Sequence, residues 1–271
     1  HAIVNILEPI FDRTFIYDSC ANRKGKGNLF ALQRFHQFLS KTSRNGEIKG
    51  LITNNQIKGY CLKADIKHYF DEVDHDILIV MLKRKITDNK VISLISTILK
   101  NKTNFQNEER ESTYACKKGM PLGNLTSQFF ANVYLNELDY FVKHVLKARY
   151  YIRYVDDFVI PHTSKEQLNR WREQINNFLK EKLKLELHPQ KSSVRSLSKG
   201  IDFVGFRNFY HHKLIRKRNI RKMEKKILLF SKRGETYRSI MESFQGWQAY
   251  AKWANSFKLR SKIARKIYAI K

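Results

Sequence analysis

The stretch YIRYVDDFVI, residues 151–160, sets two adjacent acids between two arms rich in aromatic and β-branched residues. Such arms favour extended chain, and Asp tolerates turn geometry. The segment therefore reads as a β-hairpin with Asp156 and Asp157 at its tip, one of several short antiparallel elements. In a chain whose formal net charge is +27, the acids have two readings. They are turn punctuation, or they hold something strongly positive.

The rest of the pattern is mixed. A Gly-rich basic loop, ANRKGKG, runs into an amphipathic helix with Leu32, Phe35 and Leu39 on one face. IKGYCLKADI reads as a strand ending at Asp65, and DHDILIVMLKRKI as a helix after it. Residues 90–100 keep helical spacing at Val91, Leu94, Ile95 and Ile98. A polar loop spans 101–112, and GMPLGN at 119–124 leads into a helix over 125–145. After the hairpin, Leu168, Trp171, Ile175, Phe178 and Leu179 mark the inward face of another helix. A GIDFVGFRNF strand follows, and two basic helices, 217–232 and 236–254, close the chain. The economical architecture is an α+β domain followed by a helical basic subdomain.

Charge narrows the partners. Residues 201–271 carry 19 Lys/Arg against 4 Asp/Glu. A basic field of this size concentrates polyanions. Because the basic segments are interleaved with aromatic and core-like residues, nucleic acid is favoured over anionic membrane. The most apolar run, VISLISTIL at 91–99, is too short to span a bilayer. Cys20, Cys61 and Cys116 have neither paired nor CxxC spacing, so they read as small buried hydrophobes in a reducing cytoplasm. His1 in place of Met, with no charged-then-apolar leader, reads as a truncated N-terminal part.

Asp65 changes the meaning of the acid pair. Its strand would lie beside the hairpin, and three like charges close together force a proton or a cation into the site. Carboxylate oxygens without His or Cys suit a hard ion such as Mg²⁺. Two ions about 3.5–4 Å apart are the usual device for displacement at a phosphate. In this order, DIKHYFDEVDH, GMPLGNLTSQFFANVYL and YVDDF resemble the palm motifs of reverse transcriptases, and the likeness runs along nearly the whole chain.

The resemblance implies a right-hand polymerase fold: an antiparallel palm sheet with helices, fingers and a helical basic thumb. The expected parts are fingers at 1–59, palm at 60–81, a fingers/palm insertion at 82–118, palm again at 119–200, and primer grip and thumb at 201–271. Asp65, Asp156 and Asp157 would be catalytic, Asp65 and Asp156 sharing two Mg²⁺ ions (Mn²⁺ able to substitute), with Asp157 adding charge and looser coordination and the Ile66 carbonyl as a further ligand. A primer 3′-hydroxyl would attack the α-phosphate of a dNTP and release pyrophosphate.

Further roles follow from the same resemblance. Phe70 would lie beneath the sugar and exclude a 2′-hydroxyl; its alternative is a core Phe at a strand-to-helix turn. Arg23, Lys24 and Lys26 would clasp the triphosphate, or else form a solvated basic turn. Lys191 matches a lysine near the β- and γ-phosphates, or is an exposed loop lysine. Asp71 and Asp74 read as turn and capping acids. Gly205 belongs to the expected primer grip. Arg216, Arg218, Arg221, Lys222 and Lys225 would present charge to a phosphate backbone, while Trp247, Tyr250 and Trp253 fill the thumb core.

PLGNLTSQ discriminates within the family. Many related polymerases carry Gln before this Gly and Pro after the Ser; here those positions are Leu122 and Gln128. An aliphatic residue, Gly123, three residues, then Ser127 and Gln128 resembles reverse transcriptases of diversity-generating retroelements. These bacterial or phage enzymes copy a template-repeat RNA with frequent errors opposite adenine, for mutagenic retrohoming. The resemblance implies template/primer RNA, cDNA and a pentameric accessory variability protein as partners. Leu122 cannot make the hydrogen bond a Gln could, and losing one such bond relaxes discrimination by about 1–3 kcal/mol. The alternatives are a group II intron or retron reverse transcriptase and, from another class, a catalytically silent RNA-binding scaffold.

Overall fold

The computed structural model describes residues 1–49, 56–100, 117–121, 123–233 and 237–269. In chain order its first elements are α1 (Ala2–Asp12), α2 (Asn28–Thr42), the short strands β1 (Ile48–Lys49) and β2 (Gln56–Ile57), and β3 (Tyr60–Asp65). Helices α3 (Tyr69–Glu72), α4 (His75–Lys83), α5 (Asn89–Lys100) and α6 (Leu125–Tyr140) follow, α6 running on into a π-helical turn over Phe141–Val145. Then come β4 (Ile152–Tyr154), β5 (Asp157–His162), α7 (Lys165–Leu183), β6 (Ser193–Ser196), β7 (Ile201–Phe203), β8 (Phe206–Asn208) and β9 (Lys213–Ile215). Helices α8 (Lys217–Arg233), α9 (Tyr237–Ala251) and α10 (Phe257–Tyr268) complete the described chain.

Two compact units result. One joins His1–Phe35 to Gly59–Arg195; the other joins His36–Lys58 to Ser196–Lys271. The units exchange chain near 58 and 195, and α2 runs from one unit into the other.

The first unit is built on a sheet of order β4-β5-β3-β6, with β5 antiparallel to both β4 and β3. Phe158, Val159 and Ile160 are all fully buried, so β5 is a central strand covered on both faces and reads as an apolar run. α7 covers the sheet with Leu168, Trp171, Ile175, Leu179 and Leu183, each contributing about 1.5–3 kcal/mol of apolar burial. Ser164 caps its start by accepting from the Gln167 N–H, and Lys184 in the left-handed region ends it. Asp74 caps α4 by accepting from the Ile77 N–H, as expected.

α1 was not foreseen. Val4, Leu7 and Phe11 are buried at helical spacing, but Pro9 inside the helix is a breaker signal that conceals it. α5 is where the spacing placed it but turned about its axis: Ile92, Ile95 and Leu99 are buried, while Leu94 is 53% exposed. Val91, Ile92, Leu94, Ile95, Ile98 and Leu99 offer two overlapping stripes at helical spacing, and the neighbours of the helix choose between them.

In the second unit β7, β8 and β9 form an antiparallel meander. The β7–β8 turn is Val204–Gly205, with φ of 45° and 82°; two positive values are the signature of a type I′ hairpin. The Asn208 side-chain amide donates to the carbonyls of Ile201, Phe203 and Phe206 and binds the hairpin together. Tyr250 stacks on Phe206 at 4.5 Å, donates to the Gly205 carbonyl and accepts from Asn219. Three helices follow, not two. Met223, Ile227 and Phe230 of α8, Ile240 and Phe244 of α9, and Ile263 and Ile267 of α10 make one core. α10 was missed because its Lys and Arg mask an i, i+4 isoleucine pair.

Candidate active site

The register of the first sheet builds the site. β3 and β5 run antiparallel with Asp65 directly opposite Asp157. β4 and β5 pair Tyr154 with Asp157, leaving Val155 and Asp156 as a two-residue turn. Val155 has φ +58°, outlying for a β-branched residue. A left-handed first turn residue is what a type II′ hairpin needs. The three acids expected to act together thus occupy the end of one strand and the tip of the adjoining hairpin.

The chain fixes each of them. The Asp65 carbonyl accepts from the His188 N–H at 2.7 Å, and its N–H donates to the Ser192 hydroxyl. Ile66, buried at 1%, bridges to Leu187. The Lys191 ammonium, on a 56% exposed side chain, lies 3.4 Å from the Asp65 carboxylate. Lys63 sits two residues before Asp65, hence on the same face of β3, and donates to Asp157 at 2.9 Å. Burial, with Asp65 nearby, raises the Asp156 pKa against the pull of Lys191 and Lys63. Burial also pushes Asp157 up to about 6; Lys63 opposes the shift, and Asp65 and Asp156 add to it. The three carboxylates therefore act on one another electrostatically, and lysines are the hydrogen-bond partners of two. Among the described residues no three His, Cys, Asp or Glu side chains already converge as a finished metal cage.

The other expected residues divide. Phe70 is half-buried on α3, edge-on to Tyr69 at 5.3 Å and against the main core. Gly123 has φ +86°, and a Cβ built there would meet open space; Leu122 lies outside the described residues. Ser127 is 2% exposed on α6, its hydroxyl buried without a partner, while Gln128 is half-exposed. Arg23 is not offered to a phosphate. Its side chain is 7% exposed, and its donors go to Asp12, Ile16 and Ser19. Lys26 donates to the Tyr17 carbonyl and lies over the Tyr17 and Phe30 rings. Lys24 is exposed. In an ANRKGKG loop nothing local separates the internal strut from the free cation.

In the second unit, Arg218, Arg221, Lys222 and Lys225 are exposed along α8 and Arg216 is half-exposed, 3.9 Å from Asp202. Gly205 stands at the hairpin turn, where a Cβ would meet the Tyr250 hydroxyl at 2.6 Å. Trp247 packs against the helical core, and Trp253 lies near Phe206. Cys20 and Cys61 are fully buried and free, as expected. Cys116 and the 101–112 loop fall outside the described residues. No helix among the described residues is long and apolar enough to cross a membrane.

Residues 1–208 match the family described as reverse transcriptase (RNA-dependent DNA polymerase). The chain belongs to that family. It is similar to the group II intron-encoded protein LtrA of Lactococcus lactis subsp. cremoris, 27% identical over 54% of this chain and 34% of the relative. It is also similar to protein YkfC of Escherichia coli, 27% identical over 59% of this chain and 48% of the relative. The chain thus spans between a third and a half of the length of these curated relatives. Among solved structures, telomerase from Candida tropicalis in complex with a TWJ fragment of telomeric RNA superimposes with a TM-score of 0.54 at 16% identity, covering 96% of this chain and 46% of the other. Telomerase from Candida albicans gives 0.54 at 12% identity, covering 100% and 50%. The fold of this reverse transcriptase family member is the right-hand polymerase fold, as expected.

Two side chains at the site were missed. Lys63 was legible from strand alternation, two positions from Asp65. Arg153 carried no such signal, because an Arg on a strand is ordinarily solvent-facing. Here it is fully buried, paired with an equally buried Asp139.

Proposed function

We propose that this chain is the catalytic part of an RNA-directed DNA polymerase, extending a primer 3′-hydroxyl with deoxynucleotides along an RNA template. The observation that carries this reading is the register that sets Asp65 opposite Asp157, with Asp156 in the adjoining turn. Family membership over most of the chain supports it.

The donor chemistry fits Mg²⁺. The acids bring oxygen ligands alone, and burial, with the repulsion of neighbouring acids adding to it, raises the affinity of Asp156 and Asp157 for a positive partner. Asp65 and Asp156 would hold two ions, with Asp157 adding charge and the Ile66 carbonyl a further oxygen. When bound, the metal supplies Lewis-acid activation of the attacking hydroxyl and neutralises phosphate charge. The chain does the rest. Lys63 keeps Asp157 on the sheet side of the site. Lys191, on an exposed side chain, turns to the β- and γ-phosphates and gives pyrophosphate a proton. Phe70 closes the space under the sugar, so that a ribose 2′-hydroxyl meets a ring. The open space at Gly123 admits the nascent base pair. Arg216, Arg218, Arg221, Lys222 and Lys225 bind backbone phosphates.

Within the family we read Leu122, Gly123, Ser127 and Gln128 as the pattern of a diversity-generating retroelement enzyme. Its substrate is then a template-repeat RNA and its partner a pentameric accessory variability protein. The similarity to an intron-encoded protein favours a second reading, an intron-type enzyme.

Primer extension on primed RNA, with the cDNA sequenced, tests both. Divalent-dependent incorporation of dNTPs is expected, reduced by about 10³-fold or more in Asp156→Asn. Extension unaffected by that substitution contradicts the site. RNA binding without incorporation indicates the silent scaffold. Errors concentrated opposite template adenines, and reduced by Leu122→Gln, support the retroelement reading; a uniform low error rate supports the intron type.

A further inference from the structure

A fully buried arginine beside the acid hairpin calls for a reason. Replacing a buried ion pair by apolar residues is often neutral or stabilising, so stability alone does not explain Arg153. Its five N–H donors all have partners. Nε and one terminal nitrogen grip the Asp139 carboxylate at 2.7 and 2.6 Å. That terminal nitrogen also donates to the Ser19 hydroxyl at 3.0 Å. The other reaches the Asn132 side-chain oxygen at 3.3 Å and the Val155 carbonyl at 2.9 Å. Four donors are thus taken by fixed walls. Asp139 and Asn132 stand on α6, Asp139 is further held by the Tyr151 hydroxyl, and Asn132 donates to the Ala21 carbonyl. Ser19 belongs to the 18–20 segment that pairs with β4.

The fifth donor goes to the one carbonyl that belongs to the acid turn. Val155 stands at φ +58°, a conformation a β-branched residue does not hold unaided. The next residue is Asp156. We propose that Arg153 is the positioning residue of this site: its buried guanidinium, anchored on α6, clamps the Val155 carbonyl and so fixes where the Asp156 carboxylate stands. The inference rests on the polymerase reading of the acids. It adds a residue that touches neither substrate nor metal but sets the geometry of one that would. A misplacement of about 1 Å at a reacting group costs about 10²-fold in rate, which sets the expected effect.

Arg153→Lys tests the clamp, since a lysine can keep the Asp139 pair as a point charge but lacks the fork that also reaches Val155. With the folded variant confirmed by melting, the expected result is a kcat lowered about 10²-fold with KM for dNTP within about threefold, and weaker Mn²⁺ affinity by electron paramagnetic resonance. The Val155 and Asp156 amide resonances should shift. Adding Val155→Gly should then restore at least tenfold of the loss, because glycine holds φ > 0 without a clamp. If Arg153→Lys does not fold, the pair Arg153→Met with Asp139→Asn, which removes both buried charges, takes its place with the same readouts. A folded variant with wild-type kcat, Mn²⁺ affinity and turn resonances overturns the proposal, and so does a double variant with Val155→Gly as impaired as its parent. A wild-type protein that neither binds Mn²⁺ nor extends a primer sinks the polymerase reading instead, and the turn resonances still decide the clamp.

Discussion

Asp157 is held in a place where its charge is a cost. Burial and its two acidic neighbours push its pKa to about 6 from an ordinary 3.8, against the pull of Lys63. Between those values the folded protein binds the proton that the unfolded chain has lost. Stability therefore falls as pH rises through that window and stays lowered above it. In EDTA near neutral pH, Asp157→Asn is thus expected to melt higher than wild type by on the order of 1–3 kcal/mol, the gain vanishing below about pH 4. A lower melting temperature at neutral pH would contradict this account. The same side chain shows what a sequence gives up at this scale. Paired acids flanked by β-branched arms are unusual enough to be noticed, and a third acid at a strand end gives them a purpose. Arg153 and Asp139 leave no such trace, because their pairing depends on α6 passing behind β4, and the sequence does not state which elements become neighbours.

Two hairpins in this chain turn on a valine with positive φ, Val155 in the first unit and Val204 in the second. The second is followed by Gly205, where a side chain would meet both a left-handed backbone and the Tyr250 hydroxyl. Gly205→Ala should therefore destabilise the β7–β8 turn by more than about 1 kcal/mol, and Tyr250→Phe by about 1 kcal/mol through its two lost hydrogen bonds. Hydrogen exchange at the turn amides and thermal melting check both; unchanged protection in Gly205→Ala would show that the turn does not depend on this contact. Elements with one clear apolar face were legible: α2 through Leu32, Phe35 and Leu39, and α7 through Leu168, Trp171 and Ile175. α5 was legible as a helix but not in its orientation, because two of its faces are apolar. α1 and α10 were hidden by a proline and by a dense run of cations.

Over the whole molecule, 52 Lys/Arg against 25 Asp/Glu make three acids gathered at one strand end and the adjoining turn a costly exception. The motif order along the chain made the fold class and family legible. The division into compact units was not, since it depends on which segments 36–58 joins. The most direct measurement is Mn²⁺ binding to the purified chain followed by electron paramagnetic resonance, comparing wild type with Asp65→Asn. Asp65 reaches the paired acids only through the β3–β5 register. Wild type is expected to bind the ion, and the loss of this one distant carboxylate to weaken binding by about tenfold or more, equivalent to about 1.4 kcal/mol. Wild-type protein that takes up no Mn²⁺, or equal uptake by Asp65→Asn, would contradict a shared metal site.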